Sequence, residues 1–165
     1  MNVRKITRCA LFASVALIIF IVESYIPPVI PVPGFKLGLA NVVTLASVYI
    51  LGRKEAFWIL TVRIILGNMF SGQLMSMMYS FCGGYLCFGI TALLKNRFGG
   101  STIWALGVAG AISHTLGQTA CAYFFFDSEA IFYYGAVLCL AAVITGIFTG
   151  LCAQFLTKYF KEKRL

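Results

Sequence analysis

Acidic side chains are scarce in this 165-residue chain: one aspartate, Asp127, and four glutamates. Paired aspartates that would hold magnesium against a diphosphate are therefore impossible within it. His114 is the sole histidine, so no nucleophile–base pair is evident. No GxxxxGK[ST] stretch occurs, which excludes ATP binding by a P-loop. The six cysteines (Cys9, Cys82, Cys87, Cys121, Cys139, Cys152) include no CxxC pair, and most lie in apolar runs. They read as small packing residues, because a metal site would need histidine and carboxylate partners that are missing. No metal, no cofactor and no catalytic residue is expected, and the chain does not read as an enzyme acting alone. Long hydrophilic stretches are also absent, so one compact domain over 1–165 is expected.

What remains is apolar. Hydrophobic residues make up 61% and charged ones 11%, with a mean hydropathy of +0.93. That composition belongs to a bundle of membrane-spanning helices. The pattern predicts an all-α integral membrane protein with six helices, over about 7–25, 37–51, 56–70, 74–94, 102–126 and 132–156. The first apolar run is too long for a signal-peptide core and reads as a retained helix. All four prolines fall in residues 26–36, which cannot be helical yet are apolar. Such a stiff loop belongs at a membrane face or folded over a cavity.

The stretch 56–73 is the most informative. Arg63 lies near its middle, where a charge costs about 2.5–3.5 kcal/mol even on lenient insertion scales. It must face a protein interior, a cavity or a counter-charge. Fifteen helical residues reach only about 22 Å, short of a hydrocarbon core about 30 Å thick. The shortfall coincides with Gly67, Asn68, Ser71, Gly72 and Gln73. Irregular backbone at that depth is tolerated only when buried in protein or lining a cavity. A binding site inside the bundle is the expectation.

Orientation follows from the basic residues. With the N-terminus inside, cytoplasmic segments hold eleven of them (Arg4, Lys5, Arg8, Arg53, Lys54, Lys95, Arg97, Lys158, Lys161, Lys163, Arg164), and the outer loops hold only Lys36. Both termini are placed in the cytoplasm. The net charge of +8 then faces anionic lipid headgroups, and no nucleic-acid partner is needed.

Seven residues are candidates for substrate binding. Arg63 either lines a site or forms a structural ion pair with Glu23. Lys36 stands at the outer mouth or is a solvated loop lysine. Asn41, on one side of its helix with Thr44 and Ser47, lines a site or bonds a neighbouring helix. His114 and Gln118 are one turn apart and present together, to a ligand or to each other. Asn68 and Gln73 belong to the polar break. Small residues at spacing four (Gly107 with Ala111, Gly146 with Gly150) let helices pack closely. Ala10, Ala13 and Ser14 near the cytoplasmic end of helix 1 form a candidate docking face for another membrane subunit.

The runs Phe35-Lys-Leu-Gly-Leu-Ala-Asn-Val-Val-Thr-Leu45, Arg63-Ile-Ile-Leu-Gly-Asn68, Ser71-Gly72 and His114-Thr-Leu-Gly-Gln118 carry a resemblance over essentially the whole chain. They resemble the bacterial family called Gx transporters, also labelled heptaprenyl diphosphate synthase component I. That family looks like the substrate-binding S components of energy-coupling factor (ECF) transporters. The resemblance implies a multi-pass protein of the bacterial cell membrane that binds a small vitamin-like, flavin-like or isoprenoid- or quinone-related molecule. It implies a shared ECF membrane subunit and cytoplasmic ATPases as partners, with Ala10, Ala13 and Ser14 as the contact. The alternative is a non-catalytic membrane subunit supporting prenyl diphosphate or quinone synthesis. Prenyl diphosphate synthases themselves use aspartate-rich magnesium motifs, which this chain lacks.

Overall fold

A computed structural model describes residues 3–25, 38–72 and 74–163. The proline segment 26–36, with Lys36, and also Gln73 lie outside the described residues. Among those described, the chain is all-helical, without a strand. Six α-helices run in order: α1 Val3–Tyr25, α2 Ala40–Ile50, α3 Arg53–Ser71, α4 Leu74–Leu94, α5 Ile103–Phe126 and α6 Ala130–Glu162. A 3-10 turn, Gly100–Thr102, leads into α5. Asp127 ends α5 in the left-handed region, at φ 43°, with its N–H on Tyr123 O. Aspartate tolerates that conformation better than most side chains.

Among the described residues, three helices are long and apolar enough to cross a membrane: α1, α4 over Ser76–Leu94, and α6. They are consistent with membrane association. The short α2 is apolar but has only 11 residues. At 33 residues, α6 reaches about 50 Å. It exceeds the hydrocarbon core, so its last turns carry Lys158 and Lys161 past the apolar run.

The helices alternate in direction, and the contacts between their ends show it. Lys5 of α1 forms an ion pair with Glu55 at the start of α3, and its hydrogen bond holds the Glu55 carboxyl below the ordinary carboxylate value. Lys95, after α4, donates to Val48 O of α2 at 2.6 Å. The backbone N–H of Trp104, on α5, donates to Gln154 of α6. The basic segments are therefore gathered at one end of the bundle. Tyr25, Gly38, Gly72 and Asp127 mark the other.

Two apolar clusters form the core. One joins α2, α5 and α6 through Val42, Leu45, Ala46, Ile103, Leu106 and Ala153. The other joins α1, α2 and α3 through Phe12, Ala16, Val43 and Ile59. Outward faces stay apolar: Leu11, Ile18 and Val22 on α1, Trp58 and Phe70 on α3, and Leu140, Ile144 and Phe148 on α6 are all exposed. An apolar exterior is what lipid contact requires.

The closest helix approach is α5 on α6. A Cβ added at Gly107 would lie 2.8 Å from Gly146 O and closer still to Gly150 Cα. One added at Gly150 would lie 2.5 Å from Trp104 O. Backbone meets backbone there, so no side chain can turn aside. The Gly107/Ala111 and Gly146/Gly150 pairs face each other across this seam. Gly89 on α4, by contrast, has open space around it. We expect Gly107→Ala to lower thermal stability in detergent by about 1–3 kcal/mol, as overpacking does. Gly89→Ala should be neutral or gain up to about 1 kcal/mol from helix propensity. Equal melting temperatures for the two variants would contradict the close α5–α6 crossing.

Candidate functional site

Arg63 is 3% exposed and Glu23 5% exposed, so a permanent cation and a carboxylate are both buried in the first three helices. Glu23 acts on Arg63 as its counter-charge. Arg63 Nη1 donates to Asn41 Oδ1 at 3.2 Å. Its guanidinium carbon stands 5.8 Å from the centroid of the Phe20 ring, within cation–π range. Phe20 itself packs on Gly67, where a Cβ would come within 2.5 Å of the ring.

A local feature of α2 closes the arrangement. Gly38 has φ +72°, a conformation open to glycine at no steric cost. From there its N–H donates to Glu23 Oε1 at 2.5 Å, and its carbonyl accepts from Asn41 N at 2.9 Å. Glu23, Gly38, Asn41 and Arg63 thus form a ring of interactions across α1, α2 and α3. Not every atom is satisfied: Arg63 Nε, Thr44 Oγ1 and Asn68 Oδ1 are buried without a hydrogen-bond partner among the described residues. Each such atom costs about 1–3 kcal/mol. Asn68 is fully buried and spends its Nδ2 on Ile64 O at 2.7 Å, within its own helix.

Beside the ring lies a small cavity of about 30 Å³. Asn41 and Thr44 of α2, Cys87 and Thr91 of α4, and Thr145 and Thr149 of α6 supply its polar wall. Gly107, Gly110 and Ala111 of α5 supply the rest. The hydroxyls of Thr91, Thr145 and Thr149 donate back to carbonyls of their own helices. Their lone pairs remain available. At about 30 Å³ per liquid water, the cavity has room for about one water and is too small for an organic ligand. Arg63 stands behind this wall, reaching it through Asn41.

A second cavity, of about 380 Å³, opens toward the Asp127 end. Tyr79 of α4, Gln118, Thr119, Ala122 and Phe126 of α5, and Ile131, Tyr134, Gly135 and Leu138 of α6 line it, with Ser128 at the turn. Gly135 lets α6 pass close to Thr119, since a Cβ there would lie 2.5 Å from Thr119 Cγ2. Thr119 Oγ1 is buried without a partner among the described residues. The volume falls within the range of small-molecule sites.

The predicted residues therefore divide. Asn41 and Arg63 meet. His114 and Gln118 sit together on α5, both against Gly83 of α4, where a Cβ would lie 3.1 Å from His114 Cε1 and 2.8 Å from Gln118 Cγ. Gln118 lines the large cavity, and Ala111, one turn before His114, lines the small one. Asn68 is buried on α3 apart from both walls. Lys36 and Gln73 lie outside the described residues. Ala10 and Ser14 are on the exposed face of α1, whereas Ala13 is half-buried against the Phe12–Ala16–Val43–Ile59 cluster. Sequence reasoning passed over Thr119, Ser128 and the threonines of α4 and α6. Their only signals were spacing, Thr145 with Thr149 and Cys87 with Thr91.

A double-mutant cycle tests the buried pair. Arg63→Gln and Glu23→Gln should each destabilise by about 3–5 kcal/mol, because each leaves a buried charge uncompensated. The double variant should lose less than both together, with a coupling of about 0.5–3 kcal/mol. Additive losses in thermal or denaturant unfolding would dissolve the pair.

No curated protein and no solved structure matches this chain. Residues 12–156, which include both cavities, Arg63 and all of α2 to α5, match the family described as heptaprenyl diphosphate synthase component I. That match covers most of the sequence, and the chain belongs to this family.

Proposed function

We propose that this chain is a multi-pass membrane subunit that binds a small molecule and presents it to partner proteins without converting it. The observation that carries the reading is the 380 Å³ cavity between α4, α5 and α6, apolar in its walls with single polar groups placed among them. In this reading all six helices span the membrane and both termini are cytoplasmic. The gathering of basic segments at one end supports that orientation. Arg63 and Glu23 hold the first three helices in place, and the large cavity takes the ligand.

Two settings suit such a subunit. In the first it is the substrate-binding component of an ECF-type transporter, working with a shared membrane subunit and cytoplasmic ATPases. The exposed Ala10 and Ser14 on α1 would be the approach face. The second is favoured by the family's description, whose word "component" implies another component. There the chain supports prenyl diphosphate synthesis as a non-catalytic membrane subunit. The lack of paired aspartates and of a nucleophile–base pair favours a non-catalytic role in both.

Purification of the full chain from its native membrane in mild detergent tests the reading. Mass spectrometry should find a small molecule retained by the wild type and lost in Leu138→Trp, which fills the cavity, while Leu93→Trp on the exposed face of α4 retains it. Retention unchanged by Leu138→Trp would move the site elsewhere. ATPases that copurify would support the transporter setting, and a soluble prenyltransferase the other. For topology, Ser128→Cys on a cysteine-free background should react with an impermeant thiol reagent in whole cells, and Lys161→Cys should not. The opposite labelling would invert the orientation.

A further inference from the structure

We infer that the large cavity selects an uncharged ligand, an apolar body bearing one hydroxyl or carbonyl oxygen, and rejects the phosphorylated form of the same molecule. The inference deepens the proposed function and rests on its placing the ligand in this cavity.

Charge comes first. Among the described residues that line the cavity, none is charged. The buried charges Arg63 and Glu23 lie on α3 and α1, outside the wall of this cavity. The basic side chains of the described segments gather at the opposite end, with Lys158 and Lys161 bordering a separate cavity of about 420 Å³ there. A diphosphate in the large cavity would bury more than one negative charge without a cation. Desolvating an unpaired anion is far more costly than desolvating a hydroxyl.

Polar groups come second. The cavity offers Gln118, Thr119, Ser128, Tyr79 and Tyr134, all neutral. Gln118 is the telling residue, since it lines the cavity from α5. Its amide carries two donors and an acceptor. A single ligand oxygen could use either, whereas the Thr119 hydroxyl is closed in against Gly135. Such an oxygen needs no counter-charge.

Size comes third. At about 30 Å³ per liquid water, 380 Å³ equals roughly a dozen waters, room for a ligand of about that many non-hydrogen atoms or slightly more. A short prenol fits this room, as does a one- or two-ring carbonyl compound. A seven-unit prenyl chain would fit only in part, so the family's description does not by itself supply the occupant.

Matched probes test the charge rule. Farnesol and farnesyl diphosphate share one hydrocarbon body and differ only at the oxygen. The full chain in lipid nanodiscs is titrated with each at neutral pH, with binding read by thermal shift and by native mass spectrometry. Farnesol should bind saturably, and farnesyl diphosphate about tenfold or more weakly. Gln118→Met, which keeps the length and removes the amide, should weaken farnesol about three- to tenfold. Ala122→Phe should abolish its binding. Equal or tighter binding of the diphosphate, still blocked by Ala122→Phe, would overturn the charge rule and leave the cavity reading standing. Farnesol binding untouched by Ala122→Phe would overturn both. Farnesol affinity unchanged in Gln118→Met, and matched by the oxygen-free hydrocarbon farnesane, would reduce the cavity to an acyl-chain groove and overturn the inference.

Discussion

A buried guanidinium that cannot shed its proton constrains the first half of this chain. Arg63 sits midway along α3, almost fully buried, and its charge must be answered by groups on other helices. The answer comes from three directions. Glu23 on α1 supplies opposite charge, Asn41 on α2 supplies an acceptor, and Phe20 supplies the face of a ring. Because Glu23 also takes the N–H of Gly38, the start of α2 is held by the carboxylate that neutralises α3. A shift of any one helix would weaken two of these interactions together. Buried pairs are weak evidence of net stability but strong sources of register. Register is the role this ring plays: α2, with 11 residues, packs into both core clusters, but apolar contacts alone are non-directional, and the polar contacts fix how the helix is turned.

The second half is held in a different way. Between α5 and α6 the contacts are backbone on backbone at Gly107, Gly146 and Gly150, and between α4 and α5 they are Gly83 and Gly117 against Cys82, His114 and Gln118. Dispersion at close approach replaces charge here, as it must where lipid removes the hydrophobic drive for helices to associate. The helices approach closely again nearer Asp127, where Gly135 passes Thr119. The large cavity lies at that end, with Phe126, Tyr134 and Leu138 among its walls and Tyr79 of α4 on its other side.

Much of this was legible in the sequence, and the limits are physical. The helical class follows from composition alone. Arg63 identified itself, since a lone cation in an apolar run has few explanations, and Glu23 was the one acidic residue in a spanning segment that could answer it. The meeting of Arg63 with Asn41 was not legible, because it depends on the turn at Gly38 and on how α2 leans on α3. Six spans were expected, and among the described residues α1, α4 and α6 carry a spanning signal by length and composition. Ser113, His114 and Gln118 dilute α5, Arg63 and the charged first turn dilute α3, and α2 is short. The large cavity was the hardest to foresee. Its polar groups are a threonine, a serine, a glutamine and two tyrosines, residues that elsewhere serve as helix-interface hydrogen bonders or interfacial anchors. Only the spacing between α5 and α6 turns them toward one space.

The helices with the weakest spanning signals are therefore the ones that do the polar work. Residues that satisfy a charge or point at a ligand lower the apolarity by which a span is recognised, so α3 and α5 look least like membrane helices for the reason that they matter most. The chemistry they share is unequal. On α3 the polar group is ionic, fully buried and already answered within the protein. On α5 the groups are neutral: Gln118 lines the cavity toward Asp127, and the Thr119 hydroxyl is closed in against Gly135. An unanswered buried charge costs far more than a lone hydroxyl, which costs about as much as one lost hydrogen bond. The bundle can therefore leave a hydroxyl on α5 without a partner among the described residues, but the cation on α3 has to be met by groups from its neighbours.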